Sequence, residues 1–304
     1  MRERAATFSR WTEPASEAEE ERYEWTRDNV REALEASQAL QAYSFKVYPK
    51  GSYPNFTNVV RDSDVDIAAE LTTLFQPEFA HRAKGMTMAD FGITPYTGGY
   101  SLARFKDDVE QALIDHFPDG TVKRGDKAIT VRESKRGLAA DVVACETYRQ
   151  YINPQGRYRE GIMLRSDSNP GKRIVNYPEQ HLAEGKAKNE ETRKRYKRVV
   201  RILKHMENRM VDEGVIEPVP SFLIESAVWS TPDTTFMRSS AWEERVEAVL
   251  TYIYAGTKTD DCVGSSEWHE ANGIKYLFHK DQKWTHRQAN EFALAAWRYA
   301  GFSN

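Results

Sequence analysis

The sequence contains few cysteines, and those it has are not arranged to bind a metal. Cys145 and Cys262 are the only two among 304 residues, and they lie far apart in the chain. Structural zinc sites need Cys and His ligands at short spacings, and disulfide-stabilised folds need several cysteine pairs. We therefore expect neither a zinc module nor a disulfide framework.

Long apolar runs are also missing. The amino terminus begins Met1-Arg2-Glu3-Arg4 with no apolar core behind it. A signal peptide needs such a core, and a membrane-spanning helix needs about 20 predominantly apolar residues. We expect no membrane association and predict a cytoplasmic protein.

The chain has no large excess of charge of one sign. It carries 43 Lys and Arg against 46 Asp and Glu, which gives a formal net charge of −3. A protein that binds DNA or RNA along the phosphate backbone needs a broad basic surface. The composition therefore disfavours a DNA or RNA activator, while a 40% hydrophobic content is enough to bury a substantial core in 304 residues.

The most informative pattern consists of a Gly-Ser pair and two aspartates. Gly51 and Ser52 are followed, a short distance along the chain, by Asp64-Val65-Asp66. A Gly-Ser turn lets backbone amides and a hydroxyl approach a triphosphate closely, because glycine has no side chain and serine donates a hydrogen bond. Aspartates at positions i and i+2 of a strand point to the same face. The pattern predicts a phosphate-binding turn and a pair of metal-binding carboxylates.

Asp141 supplies a third carboxylate. The segment from Leu138 to Cys145 otherwise contains small and β-branched apolar residues, which is typical of a buried strand interrupted by one acid. A buried aspartate requires a metal or a cationic partner. Two Mg²⁺ ions about 4 Å apart need several carboxylate oxygens to hold them, so Asp64, Asp66 and Asp141 predict a two-metal site for nucleotidyl transfer.

Each part of this pattern has a simpler interpretation when it is taken alone. Gly-Ser pairs are common in turns, and an Asp-x-Asp sequence is more often a solvated loop or a helix cap than a metal site. The turn, the paired aspartates and an isolated acid in an apolar strand occur here in one chain. That combination favours the metal site over coincidence.

These residues resemble the catalytic signature of the polymerase-β-like nucleotidyltransferases. Within that superfamily the chain resembles the bacterial cGAS/DncV-like nucleotidyltransferases (CD-NTases), in particular their CdnE-like branch. The segments that carry this narrower resemblance are Lys50–Tyr53, Thr57–Ile67 and Val200–Lys204. The resemblance implies an α+β fold in which residues 1–165 form a nucleotidyltransferase core, with a mixed sheet and a long amino-terminal helix. Residues 166–304 would form a helical lobe, and nucleotides would bind in a cleft between the two lobes.

The resemblance also implies roles for residues outside the acidic trio. Lys204 matches a family lysine that contacts the donor phosphates, and Ser221 matches a serine that touches the triphosphate, with helix capping as its alternative role. Phe222 matches an aromatic residue that stacks on a nucleobase, with packing in a hydrophobic core as the alternative. Asn176 lies where the family places base-reading residues, and its amide can both donate to and accept from a uracil ring.

The implied activity is synthesis of a cyclic dinucleotide, with uridine among its bases, from nucleoside triphosphates with release of pyrophosphate. In the family such products are second messengers of anti-phage defence (CBASS), so a product-sensing effector and accessory CBASS proteins are the expected partners. The cofactor would be two Mg²⁺ ions, with Mn²⁺ as a substitute. A terminal nucleotidyltransferase acting on RNA or a protein acceptor is the alternative, because it would share the acidic trio.

Local patterns predict several elements around these motifs. We expect a helix over Ser16–Ala42 that is capped by Ser16, because Glu19 follows three positions later. A second helix is expected over Ser101–Phe117, and alternating residues over Gly120–Val131 predict a hairpin.

A strongly basic segment distinguishes the second half of the chain. Lys186–Met210 predicts a single helix on which Lys197, Arg201 and Lys204 recur on one face. Such a face is usually solvated. For Lys197 and Arg201 we consider phosphate binding and plain solubility as equal alternatives.

Overall fold

The chain forms two compact units. The computed structural model describes residues 2–59, 64–258 and 267–302, so residues 60–63 of the family-like segment and Cys262 lie outside the described residues. The sheet unit comprises Ser16–Pro54 and Ser63–Pro178. The helical unit comprises Met1–Ala15, Asn55–Asp62 and Glu179–Asn304. Two segments that precede residue 165 thus belong to the helical unit.

Ten α-helices, two short 3₁₀ helices and seven strands occur in the described residues. The helices are α1 Arg2–Trp11, α2 Glu17–Ala36, α3 Gln38–Gln41, α4 Leu102–His116, α5 Pro178–Glu191, α6 Tyr196–Asp212, α7 Ser221–Trp229, α8 Asp233–Met237, α9 Trp242–Gly256 and α10 His286–Tyr299. The strands are β1 Phe45–Pro49, β2 Val65–Phe79, β3 Val122–Arg124, β4 Ile129–Val131, β5 Ala140–Tyr151, β6 Tyr158–Arg165 and β7 Arg173–Asn176. No helix among the described residues is long and apolar enough to cross a membrane.

The sheet unit is built on one mixed sheet. The strand order is β1-β2-β5-β4-β3, and β6 and β7 continue the sheet from the later part of β5. Strands β2 and β5 run parallel, whereas every other pair in the described sheet is antiparallel. A parallel pair needs a crossover connection, and helix α4 lies between β2 and β5 in the chain. This mixed sheet with helices confirms the predicted α+β fold.

Alternation along β2 separates an apolar face of the sheet from a polar one. Val65, Ile67 and Leu71 are fully buried and pack in the main core of the sheet unit, together with residues of α2 and α4. Asp66 has the opposite parity, so its side chain points away from this core. The fold therefore presents Asp66 on the face that the helices α2 and α4 do not cover.

The predicted cap at Ser16 is confirmed, and the helix predicted from Ser101 begins with a cap of the same kind. Ser16 Oγ accepts a hydrogen bond from the Glu19 amide at 3.2 Å, and Ser101 Oγ accepts one from the Arg104 amide at 3.2 Å. The first predicted helix is interrupted, however, because Ser37 adopts an extended conformation between α2 and α3. The predicted hairpin is confirmed, since β3 and β4 pair with Arg124 opposite Ile129.

The helical unit has a separate apolar core. It is formed by residues of α1, α6, α7, α9 and α10 together with Trp268 and Leu277. Helix α6 contributes a long series of fully buried apolar side chains, among them Val199, Leu203 and Met206. The apolar face of this amphipathic helix therefore forms a large part of the core of the helical unit.

The prediction of one continuous basic helix over Lys186–Met210 is wrong. Helix α5 ends at Glu191 and α6 begins at Tyr196, because Arg193 and Lys194 between them adopt positive φ angles of 51° and 62°. A residue with a Cβ rarely adopts this left-handed conformation within a helix. The basic face of α6 is not solvated either, since Lys197, Arg201 and Lys204 are only 8%, 6% and 2% exposed.

Arg201 illustrates how a cation is accommodated at such a position. Its guanidinium donates hydrogen bonds to the backbone carbonyls of Thr12 and Phe56. Burial is the main cause that lowers the pKa of Arg201, to about 10. Both carbonyls belong to segments that precede β2 in the chain. Through these hydrogen bonds, Arg201 holds the segment that contains Thr12 and the segment that contains Phe56 against α6.

Candidate functional site

Two of the predicted metal ligands lie side by side in the sheet. Asp66 in β2 and Asp141 in β5 are directly paired positions of two parallel strands, which are about 4.8 Å apart in such a sheet. Both side chains are partly exposed, whereas their strand neighbours Val65 and Ala140 are fully buried. Asp64 lies immediately before β2 and is exposed. The register of β2 and β5 thus brings together carboxylates that are far apart in sequence.

The turn at Gly51 lies against Asp66. The Lys50 amide donates a hydrogen bond to the Asp66 carbonyl at 2.8 Å, and Gly51 follows with a φ of 77°. A Cβ atom at Gly51 would lie 2.5 Å from Asp66 Oδ2. Only glycine permits this approach in this conformation. Ser52 is the next residue of the turn and is partly exposed.

A cation also contacts this carboxylate. Lys50 Nζ lies 2.9 Å from Asp66 Oδ1, and the lysine side chain is only 16% exposed. Over residues 2–59, 64–258 and 267–302, no three His, Cys, Asp or Glu side chains form a cluster that could hold a metal ion. The chemistry of the donors nevertheless fits Mg²⁺, which prefers carboxylate oxygens. Asp66 and Asp141 present such oxygens from paired positions.

Asp141 is oriented by a residue that sequence reasoning did not identify. Thr130 of β4 pairs with Asp141 of β5, and its Oγ1 donates a hydrogen bond to Asp141 Oδ1 at 2.7 Å. This contact leaves Oδ2 of Asp141 for another partner and fixes the rotation of the carboxylate. Because the two residues meet only through strand register, no local sequence signal marks Thr130.

Asn176 lies at the end of β7 in the sheet unit. It pairs with Ile162 of β6 and its side chain is partly exposed. Gly161 of β6 is close to its backbone, since a Cβ atom there would lie 2.6 Å from the Asn176 carbonyl oxygen. The backbone of Asn176 is therefore held firmly by its neighbouring strand.

The remaining predicted nucleotide-binding residues lie in the helical unit. Ser221 is the first residue of α7, where Pro220 takes the capping position and provides no side-chain hydrogen bond, so the capping role considered for Ser221 is wrong. Phe222 is half-buried and packs edge-on against His181 and Trp284, with ring centroids 5.2 Å and 6.2 Å away. Lys204 lies in α6 with its Nζ 3.6 Å from Glu225 Oε2.

Glu225 is a second residue that sequence reasoning passed over. It is the single acid in the otherwise apolar and small-residue helix α7, and its side chain is almost completely buried. The same signal, one acid in an apolar run, identified Asp141. Applied to α7, that signal would have identified Glu225 too.

Comparison with known proteins identifies relatives along nearly the whole chain. The model of the cGAS/DncV-like nucleotidyltransferase C-terminal helical domain matches residues 183–301. The chain is 35% identical over 294 residues to the cyclic dipyrimidine nucleotide synthase CdnE of Cecembia lonarensis, with 96% of each chain covered. It is 36% identical over 296 residues to the cyclic dipyrimidine nucleotide synthase CdnE of Legionella pneumophila, again with 96% of each covered.

The fold of this chain is also similar to that of a solved CdnE structure. The Rhodothermus marinus CdnE c-UMP-AMP synthase, solved with Apcpp and Upnpp, is similar with a TM-score of 0.81 at 27% identity. The similarity covers 98% of this chain and 97% of that one.

Proposed function

This chain belongs to the cGAS/DncV-like nucleotidyltransferases, in their CdnE-like branch, and from that premise we propose that it joins nucleoside triphosphates into a cyclic dinucleotide. In each transfer, a ribose hydroxyl oxygen attacks the α-phosphorus of a second triphosphate. The bond from the α-phosphorus to its bridging oxygen breaks, pyrophosphate leaves and the hydroxyl proton is released. Two such transfers close the ring.

The observation that carries this proposal is the pairing of Asp66 with Asp141 beside Gly51. The sequence pattern predicts the same three residues, together with Asp64 and Ser52. Strand register and a turn that only glycine can form place Asp66, Asp141 and Gly51 together. This arrangement supports a site for phosphate and divalent metal.

We assign the residues as follows. Asp64 and Asp66 would hold two Mg²⁺ or Mn²⁺ ions, and Asp141 would hold the one nearer the attacking hydroxyl. When bound, such ions lower the pKa of the hydroxyl and neutralise the charge that develops on the pyrophosphate. Gly51 and Ser52 would hold phosphate oxygens through backbone amides and the serine hydroxyl.

Three residues of the helical unit would bind the nucleotide itself. Lys204 and Ser221 would contact the triphosphate, and Phe222 would stack on a base. Its half-buried ring, held edge-on by two other aromatic side chains, supports a fixed platform. Stacking of a base on an aromatic ring contributes roughly 1–3 kcal/mol.

We propose that the product contains at least one uridine. Asn176 can donate to a ring carbonyl and accept from the N3–H group of uracil, and its backbone is fixed beside β6. Two relatives at 35–36% identity are named as cyclic dipyrimidine nucleotide synthases, and a similar structure is that of a c-UMP-AMP synthase. These names support uridine as one of the bases.

We further propose that the product acts as a second messenger in anti-phage defence. The expected partners are an effector protein that senses the product and accessory CBASS proteins. Terminal transfer to RNA or to a protein acceptor would use the same trio of acids, but the relatives matched over 96% of the chain are named as cyclic synthases. We therefore favour cyclisation.

The direct test is product analysis. The purified chain is incubated with all four ribonucleoside triphosphates and Mg²⁺, treated with phosphatase, and the resistant products are identified by mass spectrometry. A resistant cyclic dinucleotide that contains uridine is expected. A cyclic product made only of purines would remove the role given to Asn176, and extension of an added RNA without any cyclic product would replace cyclisation by terminal transfer.

Thr130 provides a sharper test of the acidic site. Thr130→Val removes the hydrogen bond to Asp141, so we expect product formation to fall about tenfold, since a hydrogen bond to a charged group contributes roughly 1.5–3 kcal/mol. Binding of Mn²⁺, measured by electron paramagnetic resonance in the absence of substrate, should weaken in parallel. Thr130→Ser retains the hydroxyl, so this variant should keep most of the product formation and most of the Mn²⁺ binding of the wild-type protein. Equal behaviour of the valine and serine variants would contradict an orienting role.

A further inference from the structure

A buried carboxylate in the helical unit connects three separate segments of the chain. Glu225 Oε2 accepts a hydrogen bond from Thr57 Oγ1 at 2.8 Å, and Glu225 Oε1 lies 2.8 Å from His181 Nε2. Lys204 Nζ is 3.6 Å from Oε2. All four side chains are buried, with exposures between 0% and 7%. This cluster differs from a surface ion pair because all four side chains are shielded from water.

The carboxylate in this cluster is charged. Burial alone would raise the pKa of Glu225, but His181, Lys204 and Thr57 together lower it to about 2. Removing one member of a buried pair leaves the other charge without compensation, which is strongly unfavourable. Glu225 is therefore the negative counter-charge of the Lys204 side chain, which is only 2% exposed and lies 3.6 Å from it.

His181 extends the cluster to the candidate base platform. The ring donates from Nε2 to Glu225, while Nδ1 faces the Asn55 side-chain amide at 3.4 Å. Contacts at both ring nitrogens therefore fix the orientation of the imidazole. With the ring orientation fixed in this way, its edge-on contact holds Phe222 at 5.2 Å.

We propose that Glu225 is a positioning residue for the nucleotide: its charge holds the Lys204 ammonium, and its hydrogen bond to His181 holds Phe222, so that phosphate and base meet a preformed site. This inference rests on the proposed function and deepens it. Glu225 touches no reacting atom. It acts through Lys204 and His181, one contacting the triphosphate and the other supporting the base platform.

The substitution Glu225→Gln isolates the charge. A glutamine amide keeps an oxygen for His181 Nε2–H, and its NH₂ can donate to Thr57, whose hydroxyl both donates and accepts. Both hydrogen bonds can therefore persist while the negative charge opposite Lys204 disappears. A buried ammonium without a counter-charge favours its neutral form or moves towards water. The variant should lose the fixed positive charge of Lys204.

The test measures binding of the α,β-imido analogue of UTP with Mg²⁺, together with KM and kcat for product formation. We expect Glu225→Gln to weaken analogue binding and raise KM about tenfold while kcat changes less than about threefold, because the reacting groups are untouched. In a Lys204→Met background, Glu225→Gln should have no further effect on residual analogue binding. Coupling of this kind is the signature of residues that act through each other.

Glu270→Gln is the matched control. Glu270 is another buried carboxylate of the helical unit, it accepts hydrogen bonds from Asn272 and Gln282, and Lys275 Nζ lies 3.3 Å from it. Glu270→Gln should lower the thermal stability, but it should leave the affinity for the analogue within about twofold of the wild-type value. If Glu225→Gln fails to fold, Thr57→Val deletes one hydrogen bond to the same carboxylate and should show a smaller effect, about threefold, that also vanishes in the Lys204→Met background.

The outcomes separate this inference from the proposed function. Equal effects of Glu225→Gln in the wild-type and Lys204→Met backgrounds, or unchanged analogue binding in a folded Glu225→Gln protein, would overturn the positioning role. Binding of the analogue without any cyclic product would instead overturn the proposed reaction and leave the role of Glu225 standing. A wild-type protein that binds neither this UTP analogue nor the α,β-imido analogue of ATP would overturn both.

Discussion

Replacing Asp64 and Asp66 together by asparagine is expected to abolish formation of the cyclic product, with a loss of at least about a thousandfold. Asparagine has nearly the same shape as aspartate, but its neutral amide is a poor ligand for a hard divalent cation. The stabilisation that such ions supply to developing negative charge amounts to several kcal/mol, and each 1.36 kcal/mol changes the rate tenfold. The same variant should lose Mn²⁺ binding when measured without nucleotide.

The fold should survive this double substitution. Asp64 is exposed and Asp66 is partly exposed, so neither contributes to the core formed by Val65 and Ile67. Thermal unfolding should shift only slightly, because Asp66 loses one ion pair with Lys50. Asp119→Asn, at an exposed position of the same unit, is the matched charge-neutralising control and should retain full activity. Product formation by the double variant at more than a few per cent of the wild-type rate would refute the assignment of the trio.

The acidic site was predictable from sequence because its signals are local. Asp64 and Asp66 are recognisable because they occupy positions i and i+2 of a strand, and Asp141 is recognisable because the strand around it is apolar. The register of the parallel strands β2 and β5 then places Asp66 opposite Asp141. Capping by Ser16 and Ser101 was equally predictable, because these hydrogen bonds join residues three positions apart.

The burial of the basic face of α6 was not predictable in this way. Periodicity identifies which residues share a helical face, but it does not say what covers that face. Arg201 is covered by Thr12 and Phe56, whose backbone carbonyls reach it from distant parts of the chain. Lys204 is covered by Glu225 of a different helix. A charged residue can be buried wherever such partners exist, and a single helix pattern does not contain them.

Thr130 and Glu225 define a second limit of sequence reasoning. Both support a candidate site residue from another element: Thr130 through the pairing of β4 with β5, Glu225 through the packing of α7 near α6. No local signal marks Thr130, and the isolated acid in α7 marks Glu225 without indicating which residues it contacts. Their roles follow from tertiary contacts, and the structure supplies those contacts while the sequence supplies only the candidates they serve.

The second large effect is expected at the Gly-Ser turn. Gly51→Ala should reduce product formation by about a hundredfold or more, because the new Cβ atom would lie 2.5 Å from Asp66 Oδ2. Either the carboxylate rotates away or the turn shifts, and displacement of a reacting group by about 1 Å can lower a rate about a hundredfold. The ion pair between Lys50 and Asp66 should be disturbed at the same time.

Backbone strain must be separated from this steric effect, and Gly120 allows it. Gly51 and Gly120 have φ angles of 77° and 74°, so alanine is disfavoured at both, at a cost of roughly 1–3 kcal/mol. A Cβ atom at Gly120 would meet nothing within 4 Å. Gly120→Ala should therefore lose stability against urea to a similar extent as Gly51→Ala, yet keep its activity. If both variants lost activity equally, general strain would explain the result; if neither did, the close approach of Gly51 to Asp66 would have no catalytic importance.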